Sequence, residues 1–267
     1  MFQYDVNAFL AAYGQQILAL RPAASAGFTS LLEALAEDPA VSDVRWAAYM
    51  LATVKHECAN TWQPIEEYGK GAGRPYGVPV QVTAPDGTLY TNTYYGRGYV
   101  QLTWRLNYDR MGNAIGLSNG LVLHPEHALE PGTAYRIMSH GMRNGSFTGK
   151  KLLDYIHDDV CDYVNARRII NGLDRADLIA GHARQLETLL RASLLPATAV
   201  VASETATAAS QSVAVNPQAA PNQPVVVNQT TVPGQAPAMA PIVVSPPQLA
   251  PGAIATSSRQ ATPAAGS

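Results

Sequence analysis

Apolar positions along residues 1–195 recur mainly with the 3.6-residue period of helices that bury one face. Two helices are predicted over residues 4–20 and 28–37, with Pro22 and Pro39 as stops. A third begins at a cap, Ser42 or Asp43, and directs one apolar stripe toward the core: Val44, Ala47, Leu51, Val54 and Cys58. Further helical segments are predicted over residues 100–111, 127–143, 149–156, 159–168 and 175–194.

Between Gly69 and Gly98 the helical period gives way to glycine, proline and alternating β-forming residues. The stretch VPVQVTAPDGTLYTNTYY predicts a hairpin that turns at Asp86-Gly87, because Asp-Gly favours the tight turn between two strands. The predicted fold is therefore mainly α, with a small β-element that interrupts the helices.

Composition divides the chain near Leu195. Residues 1–195 contain every Trp, Tyr, Phe, His and Cys and are predicted to form one globular domain. Residues 196–267 hold 11 of the 19 prolines, and Glu204 and Arg259 are their only charged side chains. Such a segment has no large apolar anchors to offset the entropy of ordering, which predicts a disordered Pro/Ala/Val-rich tail. A spacer or a partner-binding arm is the functional interpretation of this tail.

Charge and hydropathy narrow the expected partners and compartment. A formal net charge of −2 indicates no basic surface, so no nucleic-acid partner is expected. The N-terminal MFQYDVNAFLAAYG lacks the pattern of a signal peptide, and no apolar run is long enough for a membrane span, so we expect synthesis in the cytoplasm. Cys58 and Cys161 fit a reducing compartment better than a disulfide framework, although the sequence leaves their pairing open.

The stretch VKHECANTWQPIEEYG, residues 54–69, contains the candidate chemistry. It begins like the HExxH motif of zinc proteases, but Asn60 stands where the second histidine is needed, so no metal or other cofactor is predicted. Glu57 lies near the end of its helix against an apolar wall, which favours the protonated carboxyl of a general acid. Glu66 or Glu67 then supplies a second, solvated carboxylate across a cleft, as glycoside hydrolysis requires. Replacing Glu57 by glutamine is expected to abolish hydrolysis and to leave the thermal midpoint almost unchanged.

The motif HPEH at residues 124–127 contains two histidines and a glutamate. Pro125 places the motif at a helix start, and no further ligands stand at a recognisable spacing. A capping or surface role is therefore predicted instead of a metal site.

Three ordered motifs, HEC…WQPIEEY, YYGRGYVQLTWRLNY and RRIING, resemble glycoside hydrolase family 19, which comprises plant-type chitinases and phage endolysins. The resemblance spans residues 42–190 and implies a lysozyme-like, two-lobed helical fold around a carboxylate-lined cleft. The sequence departs from the family pattern after Glu57, where Cys58-Ala59-Asn60 replaces the usual Ser/Thr-Gly-Gly, and at Tyr99, which replaces a proline. The turn beside the acid is therefore expected to differ.

The resemblance also implies roles for individual residues. Glu57 matches the general acid and Glu66 the general base that activates water, with Glu67 as the alternative base. Five further polar residues match positions that hold the water or the sugar, line the opposite wall or orient the acidic pair: Gln101, Thr103, Asn107, Asn171 and Arg184. Tyr95 is a candidate for stacking on a sugar ring, with core packing as the alternative.

The predicted function is a peptidoglycan-cleaving glycosidase, an endolysin or cell-wall effector of the muramidase type that inverts the anomeric carbon. We expect a monomer that reaches the cell wall or periplasm by holin-type release or by injection, because no signal peptide is visible. A chitinase that hydrolyses β-1,4-linked N-acetylglucosamine polymers is the first alternative. A catalytically silent glycan-binding or virion structural module is the second, favoured by the altered turn after Glu57 and by the coat-like tail.

Overall fold

A computed structural model describes residues 2–196, so the predicted tail lies outside the described residues apart from its first position. The described part is mainly helical, which confirms the predicted fold class. Its seven α-helices are α1 (Val6–Gln16), α2 (Pro22–Glu37), α3 (Val44–Glu57), α4 (Arg105–Ala114), α5 (Gly120–Leu123), α6 (Pro131–Asn144) and α7 (Ala176–Ala192). None of these helices is long and apolar enough to cross a membrane.

Helix α3 lies in the core and packs along α7. It begins at the predicted cap Asp43, whose carboxylate accepts a hydrogen bond from the Arg45 backbone N–H at 2.8 Å. Most of its side chains are buried on every face, as expected for a helix surrounded by other elements. The helix ends at Glu57 because Ala59 and Asn60 adopt positive φ angles of 49° and 61°. The chain thus delivers the Glu57 carboxyl to the interior at the C-terminal end of a helix.

Short antiparallel ribbons make up the β-structure of residues 2–196. The predicted hairpin is confirmed: Gly87 has a φ of 87°, and the Asp86 carboxylate accepts a hydrogen bond from the Thr88 backbone N–H at 2.9 Å. The three ribbons pair β1 (Ile65–Glu66) with β4 (Arg97–Gly98), β2 (Val80–Thr83) with β3 (Leu89–Asn92), and β5 (Ile156–His157) with β6 (Val160–Cys161).

The α-helices predicted over residues 149–156 and 159–168 are wrong. Two 3-10 helices, Leu152–Asp154 and Asn165–Ile169, flank the β5–β6 ribbon there. Apolar runs this short fit a strand or a single helical turn equally well. Asp158, with a φ of 41°, reverses the chain between the two strands.

Two helix boundaries also differ from the predicted ones. The helix predicted from residue 100 begins at Arg105, because Gln101 and Trp104 have positive φ angles of 52° and 71° that an α-helix does not allow. Pro22, predicted as a stop, occupies the first turn of α2, where its missing N–H costs no helical hydrogen bond.

The contacts between elements fall into two groups. The larger group contains α1, α2, α3, α6 and α7, and in the smaller one the β2–β3 hairpin packs against α5 beside α4. The end of α3 meets the ribbon directly, since the Cys58 Sγ lies 3.9 Å from the Gly98 carbonyl oxygen. Both cysteines are free, with Cys58 buried and Cys161 exposed.

Candidate active site

The Glu57 carboxyl is completely buried at the last residue of α3. Its Oε1 accepts a hydrogen bond from the Arg167 Nη1 at 2.6 Å, whereas its Oε2 has no hydrogen-bond partner among the described residues. Burial raises the pKa of Glu57; the charge and hydrogen bond of Arg167 oppose this effect without cancelling it, and Asp174 adds to it. The negative end of the helix dipole acts in the same direction as burial. The site therefore favours a carboxyl that keeps its proton.

Arg167 forms the cationic partner of Glu57 and is equally buried. It lies on the 3-10 helix Asn165–Ile169, where its Nε donates a hydrogen bond to the Asp174 carbonyl oxygen at 3.1 Å. Its Nη2 is buried and has no hydrogen-bond partner within residues 2–196. Burial and the nearby Arg167 charge lower the pKa of His56 to about 4, so its imidazole is neutral near pH 7. Arg167 is thus the close cation that faces the buried acid.

The Glu66 carboxylate has the opposite environment. It is about one-third exposed on β1, and its Oε1 accepts a hydrogen bond from the Tyr95 hydroxyl at 2.6 Å. Its Oε2 lies 2.9 Å from the Lys70 Nζ, and the Arg97 Nε lies 3.9 Å from Oε1. Burial alone would raise the pKa of Glu66, but the hydrogen bonds from Tyr95 and Lys70 and the two cationic charges outweigh burial and lower it. Glu66 is therefore ionised at neutral pH.

Glu67, the alternative base, anchors the loop that follows β1. Its Oε1 accepts a hydrogen bond from the Tyr76 hydroxyl at 2.9 Å, and its Oε2 accepts one from the Gly96 backbone N–H at 3.0 Å. Both oxygens thus hold neighbouring chain segments in place. The partners of Glu66 differ in that they include the cations Lys70 and Arg97.

Glu66 lies on the β1–β4 ribbon, and the residue after Glu57 contacts the same ribbon. Cys58, next to Glu57, contacts the carbonyl oxygen of Gly98, while Glu66 lies on the partner strand. Gln101 fastens this region: its Nε2 donates hydrogen bonds of 3.0 Å to the carbonyl oxygens of Ile65 and Gly98. Gln101 and Cys58, the neighbour of Glu57, thus both contact the ribbon that carries Glu66.

Thr103, Asn107 and Tyr95 continue this wall of the site. The buried Thr103 Oγ1 has no hydrogen-bond partner among the described residues. The Asn107 Nδ2 donates a hydrogen bond to the Thr103 carbonyl oxygen at 3.0 Å. The Tyr95 ring lies 3.6 Å from the Arg97 guanidinium carbon, so its face is occupied by that cation. Tyr95 acts on Glu66 through its hydroxyl.

Asn171 and Arg184 lie in different surroundings. Asn171 is half-buried directly after the helix that carries Arg167, and its backbone N–H donates a hydrogen bond to the Arg167 carbonyl oxygen at 3.0 Å. Arg184 is exposed on α7, and within residues 2–196 no ion pair joins it to either carboxylate. The sequence analysis did not select Arg167 as a site residue, although it belongs to the RRIING motif.

The turn after Glu57 uses non-glycine residues in a backbone conformation that glycine adopts without strain. Ala59 and Asn60, which replace the glycines of the family pattern, have φ angles of 49° and 61°. The buried Lys55 supports this turn, since its Nζ donates hydrogen bonds to the Asn60 side chain at 2.6 Å and to the Tyr13 hydroxyl at 2.7 Å.

A cavity of about 490 Å³ lies elsewhere, between the C-terminal end of α2 and helix α6. Its polar lining is internally satisfied: the Asp38 Oδ2 accepts hydrogen bonds from the hydroxyls of Ser139 at 2.5 Å and Tyr135 at 3.0 Å. None of the predicted site residues lines this cavity.

Comparisons of this chain with known proteins find similarity to solved structures, but not to a protein-family model or to a curated protein. No protein-family model matches the chain, and no curated protein matches it. Chitinase C from Streptomyces griseus HUT6037 is 21% identical over 70% of this chain and 79% of its own, with a TM-score of 0.46. A bacterial family 19 chitinase is 23% identical over 67% of this chain and 93% of its own, with a TM-score of 0.45.

A third solved structure, a mutant of chitinase C, is 19% identical over 72% of this chain and 95% of its own, with a TM-score of 0.43.

Proposed function

We propose that this protein is a glycoside hydrolase that cleaves β-1,4-linked amino-sugar polymers with inversion at the anomeric carbon. One observation carries the proposal: two carboxyl groups beside a single ribbon have pKa values shifted in opposite directions. Such a pair distinguishes a protonated acid from an ionised base at the same pH. Glu57 is the acid and Glu66 is the base.

In the proposed reaction Glu57 donates one proton and Glu66 accepts one. Glu57 donates its proton to the glycosidic oxygen as the bond from that oxygen to the anomeric carbon breaks. Glu66 takes a proton from a water molecule, whose oxygen forms the new bond to the anomeric carbon on the opposite face. Thr103, whose hydroxyl has no protein partner in the described residues, is a candidate to hold that water.

Substrate must uncover Glu57 before this chemistry begins. A general acid needs to come within about 3 Å of the oxygen that it protonates, and Glu57 has no solvent-exposed surface. We propose that the polymer enters between the ribbon and the 3-10 helix of Arg167 and moves this wall. The Glu57 Oε2, which has no partner within residues 2–196, then faces the glycosidic oxygen.

Peptidoglycan is the polymer that we propose, with cleavage of the muramidase type. The loop after Glu66 carries two exposed cations, Lys70, which contacts the base, and Arg74. Peptidoglycan carries carboxylates on its lactyl groups and stem peptides, which such cations attract, whereas chitin carries none. Chitin is the alternative substrate, and it is the polymer implied by the name of the similar solved structures.

The test incubates the full chain in parallel with purified sacculi and with chitin oligomers. Mass spectrometry identifies the products, and early-time NMR identifies the anomer of each new reducing end. Release of muropeptides that end in muramic acid, with the inverted anomer, supports the proposal. Chitobiose from chitin with intact sacculi would establish the chitinase alternative. A retained anomer would contradict the roles assigned to Glu57 and Glu66 with either polymer.

A glycan-binding protein without turnover is the second candidate. The complete burial of Glu57 and its ion pair with Arg167 favour this candidate, because both keep the acid from substrate. Saturable binding to sacculi or chitin, with no new reducing ends from either polymer, would identify it.

A further inference from the structure

Two histidines and a glutamate of the HPEH motif lie close together on the surface. His124, Glu126 and His127 each offer one ligand atom, and these atoms all lie within 4.8 Å of one another. The three side chains are between 40% and 61% exposed, so an ion can reach them from solvent. They belong to neither the Glu57 nor the Glu66 environment described above.

The local fold explains why the two imidazoles meet. Pro125 begins a 3-10 helix, Pro125–Leu129, and His124 is its cap. Residues three apart on a 3-10 helix lie one above the other. The rings of His124 and His127 accordingly stack with centroids 5.1 Å apart and planes 25° apart. The turn itself therefore presents two imidazoles side by side.

Neighbouring side chains hold these ligands in place. The Glu126 Oε1 lies 3.2 Å from the His124 Nδ1, and the Tyr90 ring packs edge-on against His124 at 5.3 Å. The Glu130 Oε1 lies 3.9 Å from the His127 Nε2, while its Oε2 accepts a hydrogen bond from the Thr133 hydroxyl at 3.0 Å. Tyr90 and Glu130 are outer partners of the kind that orient the ligands of metal sites.

We propose that His124, Glu126 and His127 form a binding site for a divalent transition-metal ion, with Zn²⁺ as the ion of choice. Two imidazoles and one carboxylate are a ligand set that Zn²⁺ accepts with water in a fourth position. Mg²⁺ and Ca²⁺ prefer oxygen ligands and should not bind there.

The role of the ion is structural, because the 3-10 helix Pro125–Leu129 packs on the outside of β4 and the site does not face Glu57 or Glu66. A Cβ added to Gly98 would lie only 2.7 Å from the Ala128 carbonyl oxygen, so the 3-10 helix rests directly on β4. Strand β4 also carries Arg97, which faces Glu66. Zn²⁺ would thus stabilise the 3-10 helix that packs against strand β4.

The test titrates Zn²⁺ into the full chain by isothermal calorimetry, using protein without a histidine tag. A Cys161→Ser background removes the exposed thiol, which is itself a zinc ligand. His127→Gln should weaken Zn²⁺ binding at least about tenfold, since even the loss of an outer partner commonly costs about 10–100-fold. His157→Gln is the matched control, because His157 has similar exposure and the same 3.2 Å contact to a carboxylate but belongs to no such group among residues 2–196.

Cu²⁺ provides a second measurement, since it binds the same donors and reports nitrogen ligands by electron paramagnetic resonance. Two coordinated nitrogens in the parent, and one in His127→Gln, support the site. Equal Zn²⁺ binding by parent and His127→Gln, or an equal loss in His157→Gln, would overturn it. Unchanged thermal midpoints of the metal-free variants confirm that each one is folded. Neither outcome depends on hydrolysis, so the result is separate from the proposed function.

Discussion

Removal of the Arg167 charge tests the buried ion pair on which the acid depends. Arg167→Met keeps a long side chain and leaves Glu57 without its cation in the core. Where Glu57 is ionised, breaking a buried pair in this way typically costs about 3–5 kcal/mol of unfolding free energy. The exposed neighbour Arg168 provides the control, because Arg168→Met should change stability by less than about 0.5 kcal/mol.

The loss should also depend on pH, with a sign that follows from the raised pKa of Glu57. The pKa of Glu57 is higher in the folded protein than in the unfolded chain. Such a carboxyl contributes its full stabilisation at pH values below its unfolded-state pKa, and this contribution is lost as the pH rises through its folded-state pKa. Arg167 lowers the pKa of Glu57. Without Arg167 the folded-state pKa of Glu57 therefore rises further, and the loss of stability with rising pH extends to higher pH. Arg167→Met should therefore be more damaging at pH 8 than near pH 5.

Urea unfolding of the full chain at both pH values measures this difference. The double variant Glu57→Gln/Arg167→Met should recover part of the stability at pH 8, because no charge is then left buried. Equal stability of Arg167→Met and Arg168→Met, or a loss independent of pH, would refute the reasoning.

Three further predictions concern the base, the pH profile and the chain boundary. Glu66→Gln should lower kcat at least about a hundredfold, whereas Glu67→Gln should mainly lower the thermal midpoint; the reverse ranking would move the base to Glu67. Lys70→Met should shift the acid limb of the kcat/KM profile to higher pH, because Lys70 lowers the pKa of Glu66, and an unmoved limb would contradict that contact. A chain ending at Leu195, whose N–H donates a hydrogen bond to the Gln3 carbonyl oxygen, should keep its stability and its activity on soluble oligosaccharide; lower stability would show that the tail joins the core.

Local sequence signals were sufficient to predict helix α3, which carries Glu57, and the β2–β3 hairpin. The cap at Asp43, the apolar α3 and the Asp86-Gly87 turn are each determined by neighbours a few residues away. The same signals failed over residues 149–168, because short apolar segments there gain their structure from packing on the rest of the fold.

The electrostatic partner of the acid could not be predicted in this way. Arg167 meets Glu57 across 110 positions of sequence, and its neighbour Arg168 points to solvent from the same motif. The sequence analysis named Arg184 for this role, and the structure places Arg167 there instead. The contact with Arg167 leads to an expectation that the sequence did not give: Glu57→Gln should lower the thermal midpoint at pH values where Glu57 is ionised, because the buried Arg167 charge then loses its anionic partner.

The most direct test of the account compares wild type with Glu57→Gln on two substrates, well below the midpoint of the variant. One substrate is purified sacculi; the other is an amino-sugar oligomer whose dinitrophenol leaving group departs without protonation. The account predicts a loss of at least about a hundredfold on sacculi and a much smaller loss on the activated oligomer, because only the first reaction needs a proton from Glu57. Equal losses on both substrates, or wild-type activity on sacculi, would contradict the assignment of Glu57 as the general acid.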